Sequence, residues 1–92
     1  MATTTDSTNQ QIYDVAVIFT LRNTDREVAD EFVGARDLTA LDPATLEVVM
    51  DVVAHRSHEA YRSGVNLVRA ILDAAGLVDQ YSIEDVHVEG VA

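Results

Sequence analysis

One apolar stretch, residues 41–76, constrains the fold of this chain more than any other feature, because it holds eleven of the 25 valine, leucine and isoleucine residues and the clearest start and stop signals. Both ends of the stretch carry helix signals. Asp42 can accept otherwise unpaired N–H groups at a helix start, and Pro43 is tolerated at the first helical position. Gly76 suits the left-handed conformation that follows a helix end. The stretch therefore predicts one long helix over residues 43–75.

Weak helix formers in the middle of this stretch leave a second interpretation open. An unbroken helix of this length would span about 50 Å, which is long for a chain of 92 residues. Ser57, Ser63 and Gly64 lower the helix propensity. Two helices that meet between residues 55 and 64 are therefore the alternative to one helix, kinked or straight.

The apolar side chains of the predicted helix lie on more than one of its sides, and such a helix needs protein on more than one side. A chain of this size has a marginal core of its own, and it has no cysteine for disulfides or a thiolate metal site. Self-association is the expected source of cover. The predicted oligomer interface consists of Leu46, Val48, Val49, Val52, Val53, Leu67, Val68 and Ile71.

Strand signals lie near the two ends of the chain. Residues 12–22 hold a continuous apolar run rich in β-branched side chains, which predicts a strand buried on both faces. Residues 85–91 alternate as a strand does, with Val86 and Val88 toward the core and His87 and Glu89 outward. Between them, residues 24–37 begin with a capping box and continue with an apolar stripe, which predicts a first helix. A hairpin arm over residues 26–35 is the alternative there.

The predicted fold is a small single α+β domain over residues 12–92 with the order β-α-α-β. It follows a polar tail over residues 1–11, which is expected to be flexible because it has too few apolar side chains to bury. Two strands rarely form a stable sheet alone. The sheet is therefore expected to be completed by oligomerisation.

The charge balance indicates the environment and excludes classes of partner. Sixteen acidic residues face six basic ones, all arginine, for a net charge of −10. An acidic surface suits high salt, where its self-repulsion is screened, so a halophilic archaeon or its virus is the predicted source, with a high-GC actinobacterium or phage as the alternative. No basic patch for nucleic acid is visible, and no apolar run reaches the ~20 residues of a membrane span. The expected location is the cytoplasm or a virion.

One group of side chains has the chemistry of a metal site. Asp51, His55 and Glu59 follow each other at four-residue steps, and His58 lies one helical turn from His55. Imidazole and carboxylate groups on one helix face suit zinc, iron or nickel. The predicted metal site would be shared between subunits at a symmetry axis. A solvated polar patch on an exposed helix face is the alternative.

No nucleophile motif or glycine-rich phosphate loop is present in the sequence, and no cofactor is expected. The sequence therefore predicts a non-enzymatic structural protein that self-associates, as a component of a virion or another large assembly. A metal-binding or catalytic homo-oligomer is the first alternative. A protein-binding adaptor or regulator is the second, with strand edges at residues 15–21 or 86–91 that could accept a strand from a partner.

Overall fold

The computed structural model describes residues 10–22 and 28–90. Within these ranges, four strands form one antiparallel sheet and one α-helix packs against it. The order of the strands across the sheet is β2-β3-β1-β4. The elements are β1 (Gln11–Leu21), β2 (Asp37–Asp42), β3 (Thr45–Ala54), α1 (Ser57–Ala74) and β4 (Tyr81–Gly90), with a short 3-10 turn at Ala29–Glu31.

The predicted β-α-α-β order is wrong, because the segment predicted as one or two helices begins with a strand. Residues 45–54 form β3, and their valine-rich composition favours extended backbone. The apolar spacing that fits a helix also fits strand alternation here. Val48 and Met50 are buried in the core, whereas Val49 lies on the other side of the sheet. Pairing with β1 along its length decides between the two periodicities.

Asp42 and Pro43 form the turn between β2 and β3 instead of a helix start. Asp42 Oδ1 accepts the backbone N–H of Ala44 at 2.9 Å, and the proline ring fixes a backbone angle that turns require. The same side-chain chemistry serves helix caps and turns, which is why the sequence signal was ambiguous. This hydrogen bond, followed by one from the Thr45 side chain, lowers the pKa of Asp42.

The helix predicted over residues 24–37 is also wrong in its described part. Ala29–Glu31 forms a single 3-10 turn, and no strand replaces the helix between residues 28 and 36. The proposed capping box lies outside the described ranges, as do residues 1–9 of the predicted tail. Val28 and Phe32, which fitted a helical stripe, both reach the core from this irregular segment. The Phe32 ring lies 5.7 Å from that of Phe19 between centroids.

The two predicted strands are confirmed, with one correction to their burial. β1 matches the first prediction to within one residue, and β4 covers residues 85–90 of the second but begins earlier, at Tyr81. Residue 91 lies outside the described ranges. Val86 and Val88 pack against the core, while His87 is exposed, as the alternation predicts. The prediction that β1 is buried on both faces is wrong. Its residues alternate between buried and half-buried from Tyr13 onward, because α1 covers one face of the sheet.

The C-terminal end of α1 is confirmed at the predicted glycine. Gly76 has a φ of 84°, a left-handed conformation that glycine adopts without strain. Its N–H donates to the Asp73 carbonyl at 3.0 Å, and the N–H of Leu77 donates to the Leu72 carbonyl at 3.0 Å. Leu77 is buried. These contacts form a Schellman motif, which satisfies the last carbonyl groups of the helix and directs the chain toward β4.

α1 packs against the sheet through a row of small and apolar residues at four-residue spacing. Its members are fully or almost fully buried: Ala60, Gly64, Val68 and Leu72. Gly64 is the point of closest approach, since a Cβ placed there would lie 2.6 Å from Cγ1 of Val15 in β1. The core therefore lies between α1 and one face of the sheet.

Candidate functional site

The face of the sheet opposite α1 is the principal candidate surface, and we call it the open face. Strand alternation and register place its residues directly, because partners in an antiparallel pair share a face. Within the described part of the chain, the residues of the open face are Ile12, Asp14, Ala16, Ile18 and Thr20 of β1, Thr45, Glu47, Val49, Asp51 and Val53 of β3, Asp37 and Thr39 of β2, and Ser82, Glu84, Asp85, His87 and Glu89 of β4.

Apolar side chains occupy the middle of the open face. Ala16 and Val49 are directly opposite each other on the two central strands, and Ile18 follows on β1. Ile12 and Val53 form a second opposed pair toward one end, where Val53 is 59% exposed. Polar residues would be expected at such positions if the face were made only for water. The open face therefore has an apolar centre.

Carboxylates dominate the rest of the open face. Asp14 and Asp51 are opposite each other on the central strands, and Arg36 lies between them. Arg36 donates through one nitrogen to Asp14 Oδ1 and through the other to Asp51 Oδ1, the second at 3.2 Å. The hydrogen bond to Asp14, followed by its charge, raises the pKa of Arg36. On β4, His87 Nε2 lies 3.1 Å from Asp85 Oδ2.

At the β4 edge of the sheet, a backbone N–H that points outward already donates to a side chain of the same strand; we call such an edge capped. The N–H of Arg22 donates to the Gln80 carbonyl, so the even-numbered residues of β1 direct their backbone groups toward β4. Because position 16 pairs with position 87, the N–H of Val86 points out of the sheet. Asp85 Oδ1 accepts that N–H at 2.9 Å. The β1–β4 register also shifts beside this residue, so the edge is both capped and irregular.

The opposite edge of the sheet, at β2, is capped in the same way, by a side chain that accepts an outward backbone N–H. The N–H of Arg36 donates to the Val49 carbonyl, which places the outward groups of β3 at its odd-numbered residues. Asp37 pairs with Val49, so the next residue, Leu38, directs its N–H out of the sheet. Asp37 Oδ1 accepts that N–H at 2.9 Å. Capped, charged edges resist strand addition.

The adaptor hypothesis requires a strand edge that can accept a strand from a partner protein. Residues 15–21 belong to β1, which is paired on both sides and has no edge to offer. Residues 86–90 do lie at an edge, but the first outward N–H of that segment is engaged by Asp85. Strand addition there would have to displace this contact.

The outer face of α1, directed away from the sheet, is the second candidate surface. Arg62 and Arg69 lie on it together with Glu59 and Asp73, and Arg56 precedes the helix. Among the residues that the structure describes, no ion pair involves Arg56 or Arg62. The rest of this face has small or weakly polar side chains, namely Ser63, Asn66, Ala70 and Ala74. Its charge balance therefore differs from that of the open face.

The predicted metal ligands are not brought together. Asp51 lies on β3 and binds Arg36, His55 lies in the turn before α1, and Glu59 uses Oε1 to accept the backbone N–H of His55 at 3.3 Å. The four-residue spacing does not place these side chains on one helix face, because residues 51–54 form part of a strand. No group of three potential ligands that could hold a metal occurs within the described ranges. A site shared between subunits, with His58, stays a prediction.

The predicted interface residues divide between several places. Val48 and Val68 are fully buried inside the subunit, so neither is available to a partner. Leu46, Val52 and Ile71 are half-buried against the core. Val49 is also half-buried, on the open face. The exposed members lie on two different surfaces, Val53 on the open face and Leu67 on the side of α1.

Leu67 is 48% exposed and borders a small apolar cavity of about 190 Å³ between α1 and the segment before β2. The cavity is also lined by Phe32, Gly34, Ala35, Met50 and Ile71. Its volume accommodates little more than one large side chain. A wider, open depression of about 490 Å³ lies at the start of α1, lined by Gln11, His55, Arg56 and Glu59.

Sequence reasoning missed the open face because it depends on register. Ile12, Ala16 and Ile18 belong to the strand that the sequence predicts to be buried on both faces, so no exposed face is expected there. The detectable signal was the acid placed at every second or fourth residue of β3 and β4, such as Glu47, Asp51 and Glu89. That spacing is typical of one face of a strand.

Comparison of the chain with protein families, curated proteins and solved structures gave no match. In the described ranges, no helix has the length and apolar character needed to span a membrane. Function must therefore be inferred from the open face, the outer face of α1 and the two sheet edges.

Proposed function

We propose that this protein is a non-enzymatic structural building block that assembles with copies of itself through the open face. The observation that carries the proposal is the apolar centre of that face, formed by Ala16, Ile18 and Val49. Covering it would remove apolar surface from water, which stabilises the contact by about 25 cal/mol per Å². Contiguous apolar patches with polar rims are typical of interaction sites.

This basis for self-association replaces the one that the sequence indicated. The excess apolar surface does not lie around a long helix, since Val48 and Val68 are buried in the subunit. The proposal assigns it to the side of the sheet opposite α1, where Val49 and Val53 of the predicted interface lie on the same face as Ile18.

The acidic composition supports an assembly that forms in high salt. Each copy has a net charge of −10, so copies repel one another in dilute buffer, where the Debye length is about 10 Å at 0.1 M salt. At molar salt it falls to about 3 Å, and the apolar contact then outweighs the repulsion. A component of a large assembly in the cytoplasm or a virion of a halophilic source fits this behaviour.

The proposal is tested by light scattering on two matched variants in molar salt. Ile18→Asp places a charge in the apolar centre of the open face, and the expected result is a monomer. Val33→Asp makes the same chemical change at a residue that is 88% exposed and lies outside the sheet, and it should leave the wild-type mass unchanged. Circular dichroism establishes that both variants fold. Equal masses for the two folded variants would contradict the proposal.

A further inference from the structure

The proposed assembly leaves open which surface of a second copy covers the open face. Three arrangements are geometrically simple: strands joined edge to edge, two open faces in contact, or the outer face of α1 laid on an open face. Charge and hydrogen bonding distinguish among them.

Edge-to-edge joining is disfavoured at both edges. The outward N–H groups of Leu38 and Val86 already donate to Asp37 and Asp85. A second strand would have to displace a carboxylate at either edge, and it would then bring that carboxylate close to its own symmetry mate. Like charges directly opposite each other destabilise strand pairs.

Contact between two open faces is disfavoured by charge. In the described residues, the open face holds seven carboxylates, and one arginine, Arg36, reaches into it. That arginine is already shared between Asp14 and Asp51. A two-fold contact would therefore bury two acidic surfaces against each other, and buried charges are screened much less than exposed ones, so the repulsion persists in molar salt. Within the described ranges, no free arginine on this face relieves it. The carboxylates are Asp14, Asp37, Glu47, Asp51, Glu84, Asp85 and Glu89.

The outer face of α1 has the opposite balance. In the described chain, α1 and the residue before it carry three arginines against two carboxylates, Glu59 and Asp73. Arg62 points away from the sheet on the side where the small side chains of Ser63 and Asn66 permit close approach. Complementary charge selects orientation between partners even where it adds little affinity.

We propose that the outer face of α1 of one copy covers the open face of the next copy, in a repeating head-to-tail contact. The inference rests on the proposed function, and it specifies the partner surface. Both faces of the sheet would then be covered by helices, the inner one from the same chain and the outer one from the neighbour.

A head-to-tail contact uses two different surfaces, so each added copy leaves one of each free at the ends. The open face measures roughly 600 Å², from three strands of ten or eleven residues and one of six, with about 4.8 Å between strands and about 3.3 Å per residue. A contact of this size lies at the low end of specific interfaces. Each contact is therefore reversible, and the assembly grows with concentration.

The test is cross-linking with a short bis-maleimide, since the chain has no cysteine. Ala16→Cys marks the centre of the open face and Ser63→Cys marks the outer face of α1. The cross-linker must be shorter than the ~20 Å repeat that two layers of ~10 Å would give. In molar salt, the mixture of the two variants should form a cross-linked dimer, and each variant alone should remain uncross-linked.

The other outcomes separate this inference from the proposed function. Cross-linking of Ala16→Cys with itself would indicate contact between two open faces, which overturns the head-to-tail inference but keeps the proposed function. Failure of the mixture to cross-link while light scattering shows oligomers also overturns the inference. A monomer by light scattering at every salt concentration overturns both.

Charge reversal gives a second readout that does not require cysteine. Arg62→Glu should lower the mean mass at the lowest salt concentration at which the unmodified chain associates, because it removes a positive charge from the outer face of α1 where charges are least screened. Arg22→Glu makes the same change at an exposed residue at the end of β1 and should have less effect. Equal effects would contradict head-to-tail stacking, since the total charge of the two variants is the same.

Discussion

Replacing Gly64 by alanine should show how tightly α1 lies on the sheet. The new Cβ would lie 2.6 Å from Val15 Cγ1, which is 0.8 Å short of an ordinary contact of 3.4 Å. Val15 is fully buried in β1, and a β-branched side chain has little freedom to rotate away. Overpacking of this kind costs about 1–3 kcal/mol. The better helix propensity of alanine offsets about 1 kcal/mol of this cost, so the expected net loss in the free energy of unfolding is up to about 2 kcal/mol.

The sign of this effect should depend on Val15. In a Val15→Ala background the clash is absent, so Gly64→Ala should raise the free energy of unfolding by about 1 kcal/mol through helix propensity alone. Gly34→Ala is the matched control, because an added Cβ meets nothing within 4 Å there.

Urea denaturation followed by circular dichroism measures these differences. It should be done in molar salt at one fixed, low protein concentration, because self-association adds to apparent stability. If Gly64→Ala has the same effect in both backgrounds, the close approach of α1 to β1 is refuted.

Two further substitutions test single contacts. Tyr81→Phe removes the hydrogen bond of 2.9 Å that the Tyr81 hydroxyl donates to Asp73 Oδ1. In the unmodified chain, burial is the larger cause and this hydrogen bond the second cause that raise the pKa of Tyr81 above its ordinary 10.0. Stability should therefore be fully present below pH 10 and fall as the pH rises through the shifted pKa, and urea titrations should show no such fall in Tyr81→Phe. Arg36→Gln leaves the carboxylates of Asp14 and Asp51 facing each other without a positive charge between them. It should therefore destabilise the fold in dilute buffer and have a smaller effect in molar salt. A loss of stability that does not depend on salt would contradict an electrostatic role for Arg36.

The terminal strands and the end of α1 could be predicted because local chemistry decides them. The β-branched run from Val15 to Phe19 favours extended backbone wherever it lies. Gly76 ends the helix because it adopts a positive φ without strain. Neither feature depends on which other segments pack nearby.

Residues 42–54 could not be assigned from local chemistry. Asp42 followed by Pro43 satisfies the requirements of a helix start and of a turn equally well. Val49 and Val53 fit a helical stripe, while Val48 and Val52 would lie on another side of that helix. The same four valines also fit a strand with one residue of each adjacent pair on each face. Long-range pairing with β1, from Gln11 opposite Ala54 to Thr20 opposite Thr45, settles the choice, and a sequence taken in local windows carries no trace of it.

The open face was hidden for a related reason. Asp14 and Asp51 are far apart in sequence, and their opposition across two strands exists only once the register is fixed. Arg36 then joins them from a segment without regular structure. Ala16 and Val49 likewise form an apolar centre only as a pair.

Self-assembly through the open face is tested most directly by sedimentation equilibrium of the unmodified chain at several protein and salt concentrations. In molar salt the mean mass should exceed that of one chain and rise with protein concentration, and it should return toward one chain in dilute buffer, where copies repel. A mean mass equal to one chain under every condition would show that the open face remains in water, and self-assembly would then be excluded.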